Sequence, residues 1–323
     1  MRQYLYATKR STLVRLNTKD VTTMKAKILL TLTLLASLVA APAHAADKTL
    51  VIIDSGINTE LDWVKNTLVE EVCIIEYGTC PNGEKFMNGP GAAHVRYQDV
   101  RDKAMHHGSQ MYSVAVQVDP TVRVVFIRIV GMSAKGFANS YTMRSVQQAM
   151  DWVDANAARL NVGAVSLSVG RSYKEVGCPI EANFQATVQK LTSTGIAVVA
   201  SAGNGGNKTK IDYPACTPEV ISVGATDVRY SMRGVAGWVT PVMRSSNGGQ
   251  DLDLYAHGRW FTQDLTGRRV LTLGTSNAAV AVATKTAQSL SQGGTIASLT
   301  QNLGKAYISL KEVVDKLYLV SNS

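Results

Sequence analysis

Five short apolar runs, Leu50–Ile53, Val122–Val130, Val162–Leu167, Ile196–Ala200 and Val220–Gly224, set narrow bounds on how this chain can fold. Leu50–Ile53 is continuous rather than alternating, so a strand made from it is buried on both faces, and the other runs read as strands of the same predominantly apolar kind. Between them lie segments of a different period. Tyr141–Leu160 carries Met143, Val146, Met150, Val153 and Ala157 at three-four spacing, the apolar stripe of one helix. Phe184, Val188 and Leu191 repeat the pattern in a second segment that stops at Gly195, a helix-terminating residue. Strands alternating with helices require right-handed crossovers, which predicts an α/β fold of three layers: a mostly parallel central sheet covered by helices on both faces. The polar, glycine-rich stretch 58–105 reads as a short helix followed by surface loops, and 229–273 as short β-like pieces. Ile308–Val320 reads as a terminal helix packing through Leu310, Val313, Val314 and Leu317. There is no internal repeat or low-complexity linker, so a single domain is expected over 46–323.

The first 45 residues do not belong to that pattern. Lys25 and Lys27 precede an apolar run from Ile28 to Ala41, and Ala43-His44-Ala45 supplies the small-x-small cleavage pattern before Ala46. This predicts a secretory signal peptide over 1–45, and therefore a secreted or periplasmic protein. The run is shorter than the roughly 18 to 20 residues of a spanning helix, so no stable membrane anchor is expected. The sequence from Met24 onward is a complete signal by itself, which allows translation to start there.

That segment also distorts the charge. The whole chain has 33 basic and 24 acidic residues, net +9, but residues 1–45 hold seven of the former and one of the latter, so the rest carries an excess of only three. No clustered basic face with interleaved aromatics remains, and nucleic-acid binding is not expected. All four cysteines, Cys73, Cys80, Cys178 and Cys216, lie in the exported part, where an even number favours two disulfides. Three connectivities are possible; a short Cys73–Cys80 loop and a long Cys178–Cys216 loop are the preferred pair. A zinc site is the weaker reading because no CxxC pair is present, and His94, His106 and His107 are too irregularly spaced for a metal motif.

Three residue types suited to nucleophilic catalysis stand beside glycines at element ends. Asp54 closes the first apolar run in Asp54-Ser55-Gly56, the carboxyl edge at which ligands bind in open parallel sheets. His107 precedes Gly108 and a helix-like stretch. Ser276 follows Gly274-Thr275 and opens the Ala/Val run of LTLGTSNAAVAVA, on the first turn of a helix, where free N–H groups and the helix dipole stabilise an oxyanion. The competing reading of Thr275 or Ser276 is an ordinary helix cap.

The order Asp54, His107, Ser276 resembles the subtilisin-like serine proteases, the subtilase family. The matching segments are VIIDSG, HHGSQM, VSLSVG at 165–170, VVASAGNGG around Asn204, YPACTPEVISVGATD at 213–227 and LGTSNAA around Ser276. The resemblance implies a subtilisin-like fold and a serine endopeptidase in which Ser276 attacks, His107 moves the proton and Asp54 orients His107. It implies that Asn204 donates to the oxyanion beside the Ser276 N–H, and loss of that donor costs a subtilisin about 10² to 10³ in turnover. It further implies that Ser168, Val169 and Gly170 form an edge strand for extended substrate, with Ser201, Ala202 and Gly203 as the facing wall of the pocket for the P1 side chain. Arg171, near that wall, reads first as a solvated surface arginine, with restricting or charging the pocket as the alternative.

Departures accompany the matches. Val280 and Ala281 replace the family's usual Pro and His after the nucleophile, which predicts a looser turn, and Ser109–Ser113 replaces the usual residues after His107-Gly108. His257 stands where a Pro is customary and is assigned no role. Only Ala46 to Thr49 separate the cleavage pattern from the first strand, so no prosegment is recognisable. No cofactor is expected for the chemistry, metal ligands are none, and the family's calcium loops are not matched. Substrates are expected to be proteins or peptides and the enzyme a monomer. Two other functions fit the same scaffold, a catalytically silent binding protein and an acyl transferase or ligase.

Overall fold

The computed structural model describes residues 47–173, 177–231 and 237–296, with the side chains of 229–231 and 237–239 excepted; the expected signal peptide at 1–45 and the expected helix at 308–320 lie outside the described residues. The apolar runs become β1 (Thr49–Asp54), β4 (Arg123–Arg128), β5 (Val162–Leu167), β6 (Ala197–Ser201) and β7 (Ile221–Thr226). With β2 (Leu68–Ile74), β3 (Phe86–Asn88) and β10 (Leu254–His257) they form one eight-stranded sheet in the order β10-β7-β6-β5-β1-β4-β2-β3. Every pairing in it is parallel except β2 with β3.

Side chains alternate across that sheet and so feed two cores. On one face, Val51, Ile53, Val125, Ile127, Val165 and Val198 pack with Val146, Met150 and Val153 of α3 (Met143–Leu160) and Phe184, Val188 and Leu191 of α4 (Ala182–Ser193). On the other, Leu50, Ile52, Val124, Phe126 and Val199 pack with Met111, Tyr112 and Ala115 of α2 (His107–Val118) and Ala279, Val280 and Ala283 of α5 (Thr275–Ser291). α3 starts as its sequence dictates: Thr142 and Ser145 form a reciprocal capping box. A short α1 (Asp62–Lys65) precedes β2, and two antiparallel ribbons, β8 (Arg229–Ser231) with β9 (Gly237–Val239) and β11 (Arg259–Gln263) with β12 (Arg269–Leu273), account for the β-like pieces expected there.

β2 corrects the reading of 58–105 as irregular after its first helix. The strand carries Glu70-Glu71 in its middle, which removes the apolar run that marks its neighbours. Tertiary contacts accommodate both acids. Glu70 pairs with Arg159 of α3, and buried Glu71 accepts from the backbone N–H groups of Gly91 and Ala93. Both disulfides form as preferred, Cys73–Cys80 and Cys178–Cys216. No helix of the described residues is long and apolar enough to cross a membrane.

Candidate active site

Parallel strands end on one edge of a sheet, so β1 delivers Asp54, β5 delivers 168–170 and β6 delivers 202–204 to the same side of the molecule. The return helices begin there: His107 is the first residue of α2 and Ser276 the second of α5.

The approach of α2 to β1 is set by glycine. A Cβ on Gly108 would lie 2.3 Å from the Gly56 carbonyl oxygen and 2.7 Å from the Gly56 nitrogen, so only a residue without a side chain allows the helix this close. Ser55 joins the two elements: its hydroxyl accepts from Gly108 N–H at 2.9 Å and donates to the Met105 carbonyl at 3.2 Å. His107 Nδ1 then lies 2.8 and 2.9 Å from the two Asp54 oxygens, and Ser55 N–H donates to Asp54 Oδ1 at 2.6 Å. An ionised carboxylate only accepts, so Nδ1 carries the proton and a neutral ring presents Nε2 as a base. The Asp54 side chain is 2% exposed and that of His107 33%, so the base reaches solvent while its partner does not. Burial depresses the His107 pKa, but the Coulomb attraction and hydrogen bond of Asp54 outweigh it and hold it above 6.5.

At α5 the helix cap is Gly274, not Thr275 or Ser276, so neither hydroxyl is spent on capping. Thr275 is fully buried; its Oγ1 accepts from Gly203 N–H at 3.2 Å. Thr275 N–H donates to Asn204 Oδ1 at 3.0 Å, which leaves the Asn204 NH2 without a hydrogen-bond partner among the described residues. Gly274 makes room for that amide, since a Cβ would sit 3.1 Å from Oδ1 and 3.2 Å from Nδ2. Ser276 is partly exposed, and its carbonyl accepts from Ser168 Oγ at 3.1 Å. Its own hydroxyl makes no hydrogen bond to His107, a contact that often tightens only when substrate is bound.

Ser168, Val169 and Gly170 leave β5 without strand pairing of their own. Gly170 is already engaged: its N–H donates to the Tyr141 hydroxyl at 2.9 Å and its carbonyl accepts from it at 2.6 Å. Substrate pairing at that residue therefore requires Tyr141 to move, a condition the sequence did not signal. Beside it opens a cavity of about 860 Å³ lined by Tyr141, Thr142, Arg144, Arg171, Glu181 and Asn183. Arg171 is a surface arginine, paired with Glu181 at 3.0 Å and stacked 5.7 Å over the Tyr213 ring. Val280 is fully buried and α5 continues through it; its carbonyl accepts from Thr284. Behind His107, Tyr112 is buried with its hydroxyl 2.8 Å from Thr67 Oγ1.

The other histidines among the described residues belong to separate networks. His94 Nδ1 accepts from Thr59 N–H, and His106 Nδ1 accepts from Leu265 N–H. His257 is pushed below its ordinary pKa by burial and packs on Trp260. Among the described residues no group of three or more His, Cys, Asp or Glu is placed to hold a metal ion.

The model of the Subtilase family, Peptidase S8, matches residues 46–309. A cuticle-degrading serine protease of Orbilia oligospora is 25% identical over 259 residues, covering 78% of this chain and 52% of that protein. Subtilisin-like protease 2 of Trichophyton equinum is 33% identical over 132 residues, covering 39% of this chain and 27% of that protein. The chain spans about half the length of the cuticle-degrading relatives it matches. Among solved structures, an S41 psychrophilic protease superposes with TM-score 0.61 at 17% identity, covering 80% of this chain and 82% of that one. A cold-adapted subtilisin-like serine proteinase superposes with TM-score 0.54 at 22% identity, covering 78% and 79%. The fold is theirs.

Proposed function

The chain belongs to the subtilase family, and on that footing we propose that it is an exported serine endopeptidase that hydrolyses protein substrates through an acyl-enzyme on Ser276. The observation that carries the reading is the clamp of both Asp54 oxygens on His107 Nδ1, since it leaves Nε2 as the base on a ring whose partner is sealed from water. His107 Nε2 takes the Ser276 proton as Oγ attacks the scissile carbonyl. The oxyanion so formed is held by Asn204 Nδ2 and the Ser276 N–H, the latter on the free N-terminal turn of α5. The amine then leaves with the proton from His107. Water, activated by the same nitrogen, attacks the ester and releases the acid. The imidazolium that appears twice in this cycle is stabilised by Asp54, the same interaction that raises the His107 pKa.

Export is supported by the leader-like sequence of 1–45 and by the two disulfides, which persist in oxidising compartments. Asp54, His107, Ser276 and Asn204 are the proposed catalytic set. Intact mass after treatment with a serine-directed fluorophosphonate, with casein cleavage in parallel, tests it. A single adduct is expected on wild type and none on Ser276→Ala, with proteolysis lost in the variant. A folded wild type that stays unlabelled and leaves casein intact would falsify the activated serine and favour the binding reading; product capped by an added peptide amine would favour acyl transfer.

A further inference from the structure

We propose that Asn247 is a positioning residue for the oxyanion donor: it holds the segment that carries Asn204, and so sets turnover without taking part in the chemistry. This rests on the protease reading above and adds a residue to it.

Asn204 lies just beyond the end of β6 in Ala202-Gly203-Asn204-Gly205-Gly206-Asn207, with Gly203 at φ 99° and Gly206 at φ 71°. Glycine lets the chain turn at those angles, and it equally lets the chain leave them. Among the described residues, 202–207 make no backbone hydrogen bond to one another. Thr275 fixes the Asn204 amide through Oδ1, but the backbone on either side of Asn204 has to be held from outside the segment.

Asn247 holds it on both flanks. Its N–H donates to the Gly203 carbonyl at 2.9 Å and its Nδ2 to the Ala202 carbonyl at 3.1 Å, while its Oδ1 accepts from Asn207 N–H at 2.9 Å. The second Nδ2 hydrogen goes to Asp212 Oδ1 at 3.1 Å, so both donors and the acceptor of the amide are in use. Asn247 is 2% exposed, and its Nδ2 stands 2.4 Å from where a Gly203 Cβ would be, so the amide fills the space of that missing side chain. The support continues to the sheet. Ser246 Oγ accepts from Ala225 N–H of β7 at 2.9 Å and donates to the Asn247 carbonyl at 2.9 Å, and Met243 N–H donates to the Ala225 carbonyl at 2.9 Å. A continuous series of hydrogen bonds therefore ties the Asn204 segment to β7. Contacts on both flanks of one residue fix the place of that residue, and a catalytic group misplaced by 1 Å loses on the order of 10²-fold in rate.

The test is a double-mutant cycle between Asn247 and Asn204 on one fluorogenic casein-derived peptide, with kcat referred to the enzyme titrated by fluorophosphonate so that an unfolded fraction does not count. Asn247→Ala should lower kcat by on the order of 10²-fold and leave KM within about threefold of wild type. In an Asn204→Ala background, which lacks the donor to be placed, the same change should lower kcat by less than about threefold. Asn247→Asp covers the case in which the alanine variant does not fold. It keeps the size and Oδ1 of asparagine but turns an acceptor towards the Ala202 and Asp212 oxygens, and its loss of kcat should depend on Asn204 in the same way. Equal losses in both backgrounds, or a loss confined to KM or to Tm, overturn the proposal and leave the protease reading standing. An Asn204→Ala enzyme with wild-type kcat also overturns it, because there is then no donor at 204 to place. No cleavage together with no fluorophosphonate adduct on wild type overturns both.

Discussion

Replacing Gly108 with alanine sets two effects of opposite sign against each other. Gly108 lies in the first turn of α2, and glycine in a helix is worth about 1 kcal/mol less than alanine, so helix propensity alone predicts a more stable protein. The structure predicts the reverse. The new Cβ would stand 2.3 Å from the Gly56 oxygen, 2.7 Å from the Gly56 nitrogen and 2.8 Å from the Phe126 ring edge, none of which is the free end of a flexible side chain. Restoring ordinary contact with the carbonyl requires α2 to withdraw by about 1 Å from the β1 turn, and overpacking of that kind costs about 1–3 kcal/mol. The same displacement carries His107, the first residue of α2, away from an Asp54 carboxylate held at 2.8 and 2.9 Å. Misplacement by 1 Å at a reacting group costs on the order of 10²-fold in rate. Net destabilisation of about 0–2 kcal/mol should lower Tm by up to about 8 °C, at roughly 2–4 °C per kcal/mol for a domain of this size. Thermal melts followed by circular dichroism and kcat/KM on a casein-derived peptide measure the two. A Gly108→Ala variant with raised Tm, or with kcat/KM within threefold of wild type, would show that α2 is not held by this close approach.

Two further outcomes follow from the same geometry. Because Asp54 holds the His107 pKa above 6.5 and only the neutral ring can accept the Ser276 proton, kcat/KM should fall on the acid side with a midpoint above 6.5. Folding responds in the opposite sense. A raised folded-state pKa contributes stability that is fully present below pH 6.5 and is lost as pH rises through the folded value, so this group stabilises most where it catalyses least. An acid limb centred below 6.5 in the pH–rate profile would contradict the Asp54–His107 geometry. The disulfides differ by loop length: Cys178–Cys216 spans 38 residues and Cys73–Cys80 spans 7. Chain entropy then predicts about 4 kcal/mol lost on replacing the first pair by alanines and about 2 kcal/mol for the second. Urea unfolding of the two double variants checks the order, and an equal or reversed loss would rule out the entropic account here.

Much of this molecule could be read along the chain. The buried strands that bound the fold are apolar on both faces, and that is a local property of Leu50–Ile53, Val162–Leu167 and their like. Asp54, His107 and Ser276, the proposed acid, base and nucleophile, stand out in the sequence because each sits at the end of a regular element beside a glycine, and those glycines have steric reasons: Gly56 at φ 151° and Gly108 under the Gly56 backbone. Three things were settled only by contacts distant in sequence. β2 is a strand because Arg159 and the Gly91 and Ala93 amides satisfy its two glutamates. Thr275 supports the site rather than capping a helix, because its Oγ1 meets Gly203 N–H, 72 residues away. Asp212 is, by sequence, one acid in a polar loop. Its placement between Gly170 and Gly203 arises from pairing with Arg171 and Ala202, which a one-dimensional pattern does not contain. Periodicity and local backbone freedom are properties of neighbouring residues and are written in their order. Which polar groups satisfy one another is decided when the sheet brings loops from different strands to one edge.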